Sequence, residues 1–241
     1  MPFSTETLVR LREDATEIIG RYPKARSALL PLLYLVQAEE GYVSEDGIKF
    51  CAEVLEITET EVLGVATFYT MYKHEPAAEY QMGVCTNTTC AIMGGDQIYA
   101  ELATYIGGDD AAHGNGHHDI KSPDGKVAVE RLECNASCDY APVVMVNWEF
   151  FDNQTPQSAK RLVDDLRSGA HVAPTRGPNR LCTWKQANRI LAGYGDGQAA
   201  EGPSAGHASL VGLKLAKERG WKAPAANGSD ESSPKAGKES S

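Results

Sequence analysis

The chain has 241 residues and a formal charge of −10, long enough for one large domain or two small ones to bury a core without covalent staples. The acidic balance excludes a nucleic-acid surface, which needs clustered Lys and Arg. The opening stretch MPFSTETLVR lacks the basic segment and apolar run of a signal peptide, and the longest apolar run, ALLPLLYLV at 28–36, is half a membrane span and holds Pro31. The expectation is therefore a cytoplasmic protein with reduced thiols and no direct membrane insertion.

In chain order, the period of Leu8, Leu11, Ala15, Ile18 and Ile19 predicts a helix over 5–19, stopped by Gly20 and Pro23. A second helix is expected over 27–38, with Pro31 near its start, before Gly41 turns the chain. Ser44 caps a third, with Ile48, Cys51, Ala52 and Leu55 on its apolar face. The pair Thr58 and Glu61 forms a capping box for a fourth, through Val62, Val65, Ala66 and Tyr69. Four short helices with short turns predict a helical N-terminal domain over 1–74. FYTMY at 68–72 reads as helix packing rather than a cofactor box.

After the linker KHEPAAE the period changes. YQMGVC (80–85) predicts a strand, 91–107 a helix and 126–133 a strand; APVVMVNWEFFDN predicts two strands about a tight turn, and 156–169 a helix opened by Pro156 and closed by Gly169. The order fits a thioredoxin-like α/β domain over 80–170, so the fold class is α+β: a helical bundle followed by a thioredoxin-like domain. The Gly, Asp and His-rich stretch 107–125 reads as a surface insertion, with His113, His117 and His118 solvated rather than ligands. Residues 171–241 form an extended Gly, Pro and Ser-rich tail with helix-like patches at 183–192 and 207–220. The last twenty residues are too polar to form a core alone.

Six cysteines are present, and four fall in two pairs. Cys85 and Cys90 are a C-x4-C pair at the end of the first strand; Cys134 and Cys138 are a C-x3-C pair just after a later one. If the two strands are parallel neighbours, both loops leave the same sheet edge and four thiolates converge. Such a set suits tetrahedral zinc or a [2Fe–2S] cluster, and loops wider than C-x2-C favour the cluster. Four buried core cysteines and a redox dithiol are the competing readings, although neither pair has dithiol spacing. A helix starting at Ala91 would point its positive end at the site. Cys51, on an apolar helix face, and Cys182, without a near partner in sequence, read as non-ligands. No G-x-G-x-x-G after a strand, Walker A loop or H-E-x-x-H motif occurs, and no substrate pocket is expected.

PLLYLVQAEEGYVSEDGI, GVATFYTMY, VCTNTTCAIMGG and ECNASCDYAPVVMVN together resemble the family of thioredoxin-like [2Fe–2S] subunits of respiratory NADH:quinone oxidoreductase (complex I), over about residues 1–170. The resemblance implies one [2Fe–2S] cluster carried by Cys85, Cys90, Cys134 and Cys138. It implies a place on the peripheral arm of a membrane-bound complex, beside an NADH-oxidising subunit that holds FMN and NADH and exchanges single electrons with this cluster. The chain would then be a non-autonomous part of an enzyme with no catalytic residue of its own. Separately from the resemblance, the amphipathic patches at 183–192 and 207–220 predict a tail that lies across another subunit of the peripheral arm. Relatives in NAD-linked hydrogenases and formate dehydrogenases leave the host complex open, and a zinc-stapled interaction module is the reading from another class. Ala136 stands where many relatives have Gly, and the insertion and the tail from about 176 lie outside the common core.

Overall fold

The structure, a computed structural model, describes residues 3–107, 119–204 and 206–222. His113, His117 and His118, like the last nineteen residues, lie outside the described residues. The chain divides into two units, 1–204 and 205–241.

The first unit opens with α1 (Thr5–Gly20), α2 (Leu29–Glu40), α3 (Glu45–Leu55) and α4 (Glu59–Phe68). Side-chain caps set the starts of the third and fourth where the sequence predicts them. Ser44 Oγ accepts from the Gly47 amide, and Thr58 and Glu61 make the reciprocal capping box. Leu11, Ala15, Ile18, Leu32, Leu33, Val36, Cys51 and Val62 form one buried core. Tyr69 departs from expectation: α4 stops at Phe68, and Tyr69 is extended and partly exposed. Of the FYTMY stretch, Tyr72 is buried, its hydroxyl donating to the Leu30 carbonyl, whereas Phe68 is 76% exposed.

The five-stranded sheet follows, in the order β2 (Ile120–Lys121), β3 (Val127–Leu132), β1 (Tyr80–Cys85), β4 (Val144–Val146), β5 (Glu149–Phe151). Strands β1 and β3 are parallel and the other pairs antiparallel. Alternation puts Met82 and Val84 of β1 into a core with α6 (Gly95–Gly107) and α7 (Pro156–Ser168), through Ile98, Leu102, Ala159 and Val163. Pro156 opens α7 and Gly169, at φ +75°, closes it. The fold class is the expected one, a helical region followed by a thioredoxin-like domain. Strand β2 is an addition to the expected elements. It lies inside the expected surface insertion and is two residues long, too short for a period to register.

The stretch after α7 does not trail away as an extended tail. Helix α8 (Trp184–Leu191) lies against α2. Trp184 is 2% exposed and its Nε1 donates to the Gly41 carbonyl at 2.8 Å. Gln37, fully buried in α2, donates from Nε2 to Asn188 Oδ1 (2.7 Å) and to the Met71 carbonyl, and its Oε1 accepts from the Lys73 amide. Every polar atom of the Gln37 side chain is thereby satisfied, which is what makes its burial tolerable. The patch at 183–192 spends its apolar face on its own chain.

In the second unit α9 (His207–Glu218) carries Leu210, Val211 and Leu213, all about half exposed. No helix of the described residues is long and apolar enough to cross a membrane.

Candidate metal centre

Cys85 is the last residue of β1 and pairs in register with Leu132, the last of β3. Because the two strands run parallel, their carboxyl ends open at one edge of the sheet, and Cys134 follows two residues beyond Leu132. Cys90 sits in the short helix α5 (Thr88–Ile92), and Cys138 begins a 3-10 turn over Cys138–Tyr140.

The helix expected to start at Ala91 is in fact two. Gly94, at φ +109°, separates α5 from α6, so Cys90 lies within a helix rather than before one. A Gly-Gly pair offers little resistance to such a break. The start of α6 instead presses on the first cysteine loop: a Cβ at Gly95 would stand 2.5 Å from the Cys85 carbonyl oxygen and 2.9 Å from that of Cys90. Backbone cannot yield as a side-chain tip does. Gly95→Ala is expected to cost about 1–3 kcal/mol through forced displacement, and to lower both the melting temperature and the iron retained by purified protein.

Cys85 and Cys90 are buried and pack with Val143, beside Ala141 and Phe150. Burial pushes the Cys90 thiol up to about 11; the Val143 amide, donating to it, pulls the other way, while Cys85 and Cys138 add to the rise. The Cys90 sulfur thus lies within electrostatic reach of Cys85 and Cys138. Cys134 is exposed, and its Sγ accepts from the Ala136 amide at 3.3 Å. Ala136 itself has φ +53°, a left-handed conformation that costs an alanine about 1 kcal/mol and a glycine almost nothing. Among the described residues, no group of three or more His, Cys, Asp or Glu side chains is drawn together to the spacing of a single-ion site.

A buried thiol such as Cys90 resists ionisation unless a cation compensates it, and iron or zinc would supply that compensation. One further atom fits a sulfur-rich group. Asn135 Nδ2, between the ligand candidates of the second loop, is buried and has no hydrogen-bond partner. An amide N–H facing inward without an acceptor would be satisfied by a thiolate or sulfide. Asn135 is absent from the residues that the sequence pattern singles out, although a hydrogen-bonding side chain between two paired cysteines is a visible signal.

Cys51 is fully buried among helices, and burial pushes its thiol up to about 12. Cys182 is pushed up to about 11, again by burial, and its carbonyl accepts from Asn147 Nδ2. Neither is brought to the paired cysteines. A groove of about 980 Å³ opens beside Cys134, lined by Lys73, His74, Glu130, Glu133 and Asn135 among others. Lys73 Nζ, bound to Glu130 at 2.7 Å and Asp119 at 3.1 Å, ties the linker to the sheet there.

The thioredoxin-like [2Fe–2S] ferredoxin family model matches residues 15–167. The E subunit of NADH-quinone oxidoreductase from Mycobacterium tuberculosis is 52% identical over 230 residues, 95% of this chain and 88% of that one. NADH-quinone oxidoreductase subunit 2 of Thermus thermophilus is 33% identical over 167 residues, 68% of this chain and 88% of that one. A thioredoxin-like [2Fe–2S] ferredoxin structure from Aquifex aeolicus aligns with a TM-score of 0.30 at 18% identity, over 40% of this chain and 87% of that one, a likeness too slight to build on. A sheet that sends two cysteine pairs to one edge, and near-full-length identity to the mycobacterial relative, place the chain in the thioredoxin-like [2Fe–2S] ferredoxin family, among the E subunits of NADH-quinone oxidoreductase.

Proposed function

We propose that this chain is the electron-transfer component of the NADH-oxidising module of complex I, holding one [2Fe–2S] cluster on Cys85, Cys90, Cys134 and Cys138. When bound, such a cluster takes up and returns one electron at a time. The observation that carries the reading is the parallel β1–β3 register, which delivers both cysteine pairs to one edge. The chain's own groups hold and insulate. Val143 and Phe150 keep water from the Cys85 side, and the Val143 amide stabilises a thiolate at Cys90.

The electron partner is a separate subunit that binds FMN and NADH and performs the hydride chemistry. The helical region over 1–74 and the thioredoxin-like domain over 80–170 serve as the body that presents the cluster. Helix α9, with its exposed Leu210, Val211 and Leu213, is assigned to contacts with other components of the peripheral arm.

The test is anaerobic purification of the full chain, measurement of iron, acid-labile sulfide and zinc, and low-temperature EPR after dithionite reduction. The reading expects about two irons, two sulfides and a spin-half signal per chain. About one zinc with no sulfide and no signal would replace it with a zinc-stapled interaction module.

A further inference from the structure

Arg176 lies beyond the matched family region, which ends at residue 167, yet its side chain returns to the cysteine edge. The backbone makes this possible: the Thr175 amide donates to the Phe150 carbonyl at 2.8 Å, laying the segment along β5. Asp152 then clamps the guanidinium, accepting from Nη2 at 2.7 Å and from Nε at 2.9 Å. Both partners are well covered, at 18% and 8% side-chain exposure. The guanidinium stacks over the Phe150 ring at 4.5 Å and the Tyr140 ring at 5.5 Å.

From this cradle Nη2 also donates to Ser137 Oγ. Ser137 is 5% exposed and stands between Cys134 and Cys138. Phe150, on whose ring the cation rests, packs against the group formed by Cys85, Cys90 and Val143. One fixed positive charge therefore touches the second cysteine loop directly and the first through a ring. The guanidinium is the pole of the pair that meets Ser137, with Asp152 bound to it rather than to the loop.

We infer that Arg176 is a positioning residue for the candidate cluster site, fixing the Cys134–Cys138 loop through Ser137 and, with Asp152, setting the reduction potential by an oriented charge pair. The inference rests on the four-cysteine ligand reading. Reduction adds one negative charge to the cluster, so a nearby cation favours the reduced form and a nearby carboxylate disfavours it.

The test is an EPR-monitored redox titration of the full cluster-loaded chain in wild type, Arg176→Gln and Asp152→Asn. Arg176→Gln should lower the equilibrium constant for reduction about tenfold, about 59 mV for a one-electron couple, and Arg176→Lys should recover most of the shift. Asp152→Asn, nearly isosteric and still able to accept a hydrogen bond, should move the potential upward. A role in packing alone gives no reason for opposite signs. Unchanged potentials, or two shifts downward, would overturn the inference while leaving the cluster in place. If Arg176→Gln fails to retain a cluster, the sign found for Asp152→Asn decides. A wild type without iron and sulfide would instead remove the ligand reading beneath it.

Discussion

Cys134→Ser is expected to leave the purified chain with less than about half the wild-type iron and sulfide, whereas Cys51→Ala leaves both unchanged per folded molecule. A serine hydroxyl remains protonated near neutral pH, while a thiol ionises readily beside a metal, so the replacement removes a charged ligand at nearly constant size. The contrast with Cys51 matters more than the loss itself. Cys51 is fully buried in the helical core, where burial pushes its thiol up to about 12 and so keeps it neutral, and its truncation removes one small group from a packed interior. The measurement is iron and sulfide content against folded protein, the latter by circular dichroism. Equal losses in both variants would defeat the assignment of the paired cysteines. Because Cys134 is exposed, its replacement leaves no cavity in the core that could account for a loss of iron.

Trp184→Ala should destabilise the 1–204 unit by about 3–5 kcal/mol, the range for deleting a fully buried large aromatic. Two losses combine. The cavity forms between α8 and α2, and the Gly41 carbonyl loses the Nε1–H that reaches it at 2.8 Å. The neighbouring Gln37–Asn188 hydrogen bond would share the disturbance, since α8 carries both Trp184 and Asn188. Denaturant titration checks the magnitude. The companion experiment is truncation: ending the chain at 176 removes α8 and should reproduce the destabilisation, whereas ending it at 204 should not. A 176 truncation as stable as the full chain would refute the docking of α8.

The fold is legible in the sequence wherever a side-chain period or a cap repeats over several residues. Thr58 with Glu61, Pro156 with Gly169, and the alternation of Met82 and Val84 announce their elements because each rests on local geometry. The shared sheet edge at which the two cysteine-bearing loops begin is legible too, once β1 and β3 are taken as parallel. The break at Gly94 is not, because the apolar period of 91–107 runs on almost undisturbed while the helix is interrupted. Nor is the docking of α8: its apolar face shows in the sequence, but the partner, α2, lies about 150 positions away and no local rule selects it. Arg176 is the hardest case. Surrounded by Pro, Gly and Thr it reads as an exposed linker residue, and only the pairing of Thr175 with Phe150 brings it back to the site.

The turn between β4 and β5 is made by Asn147 and Trp148, both at positive φ. It puts the Trp148 ring 5.8 Å from Trp184, so two of the molecule's three tryptophans share the junction of sheet, linker and α8. The third, Trp221, belongs to the second unit and is 61% exposed. Indole emission moves to the red as water reaches the ring. The protein therefore carries its own optical label at the seam between its helical and sheet halves, and the shorter-wavelength part of its fluorescence reports whether that seam is closed.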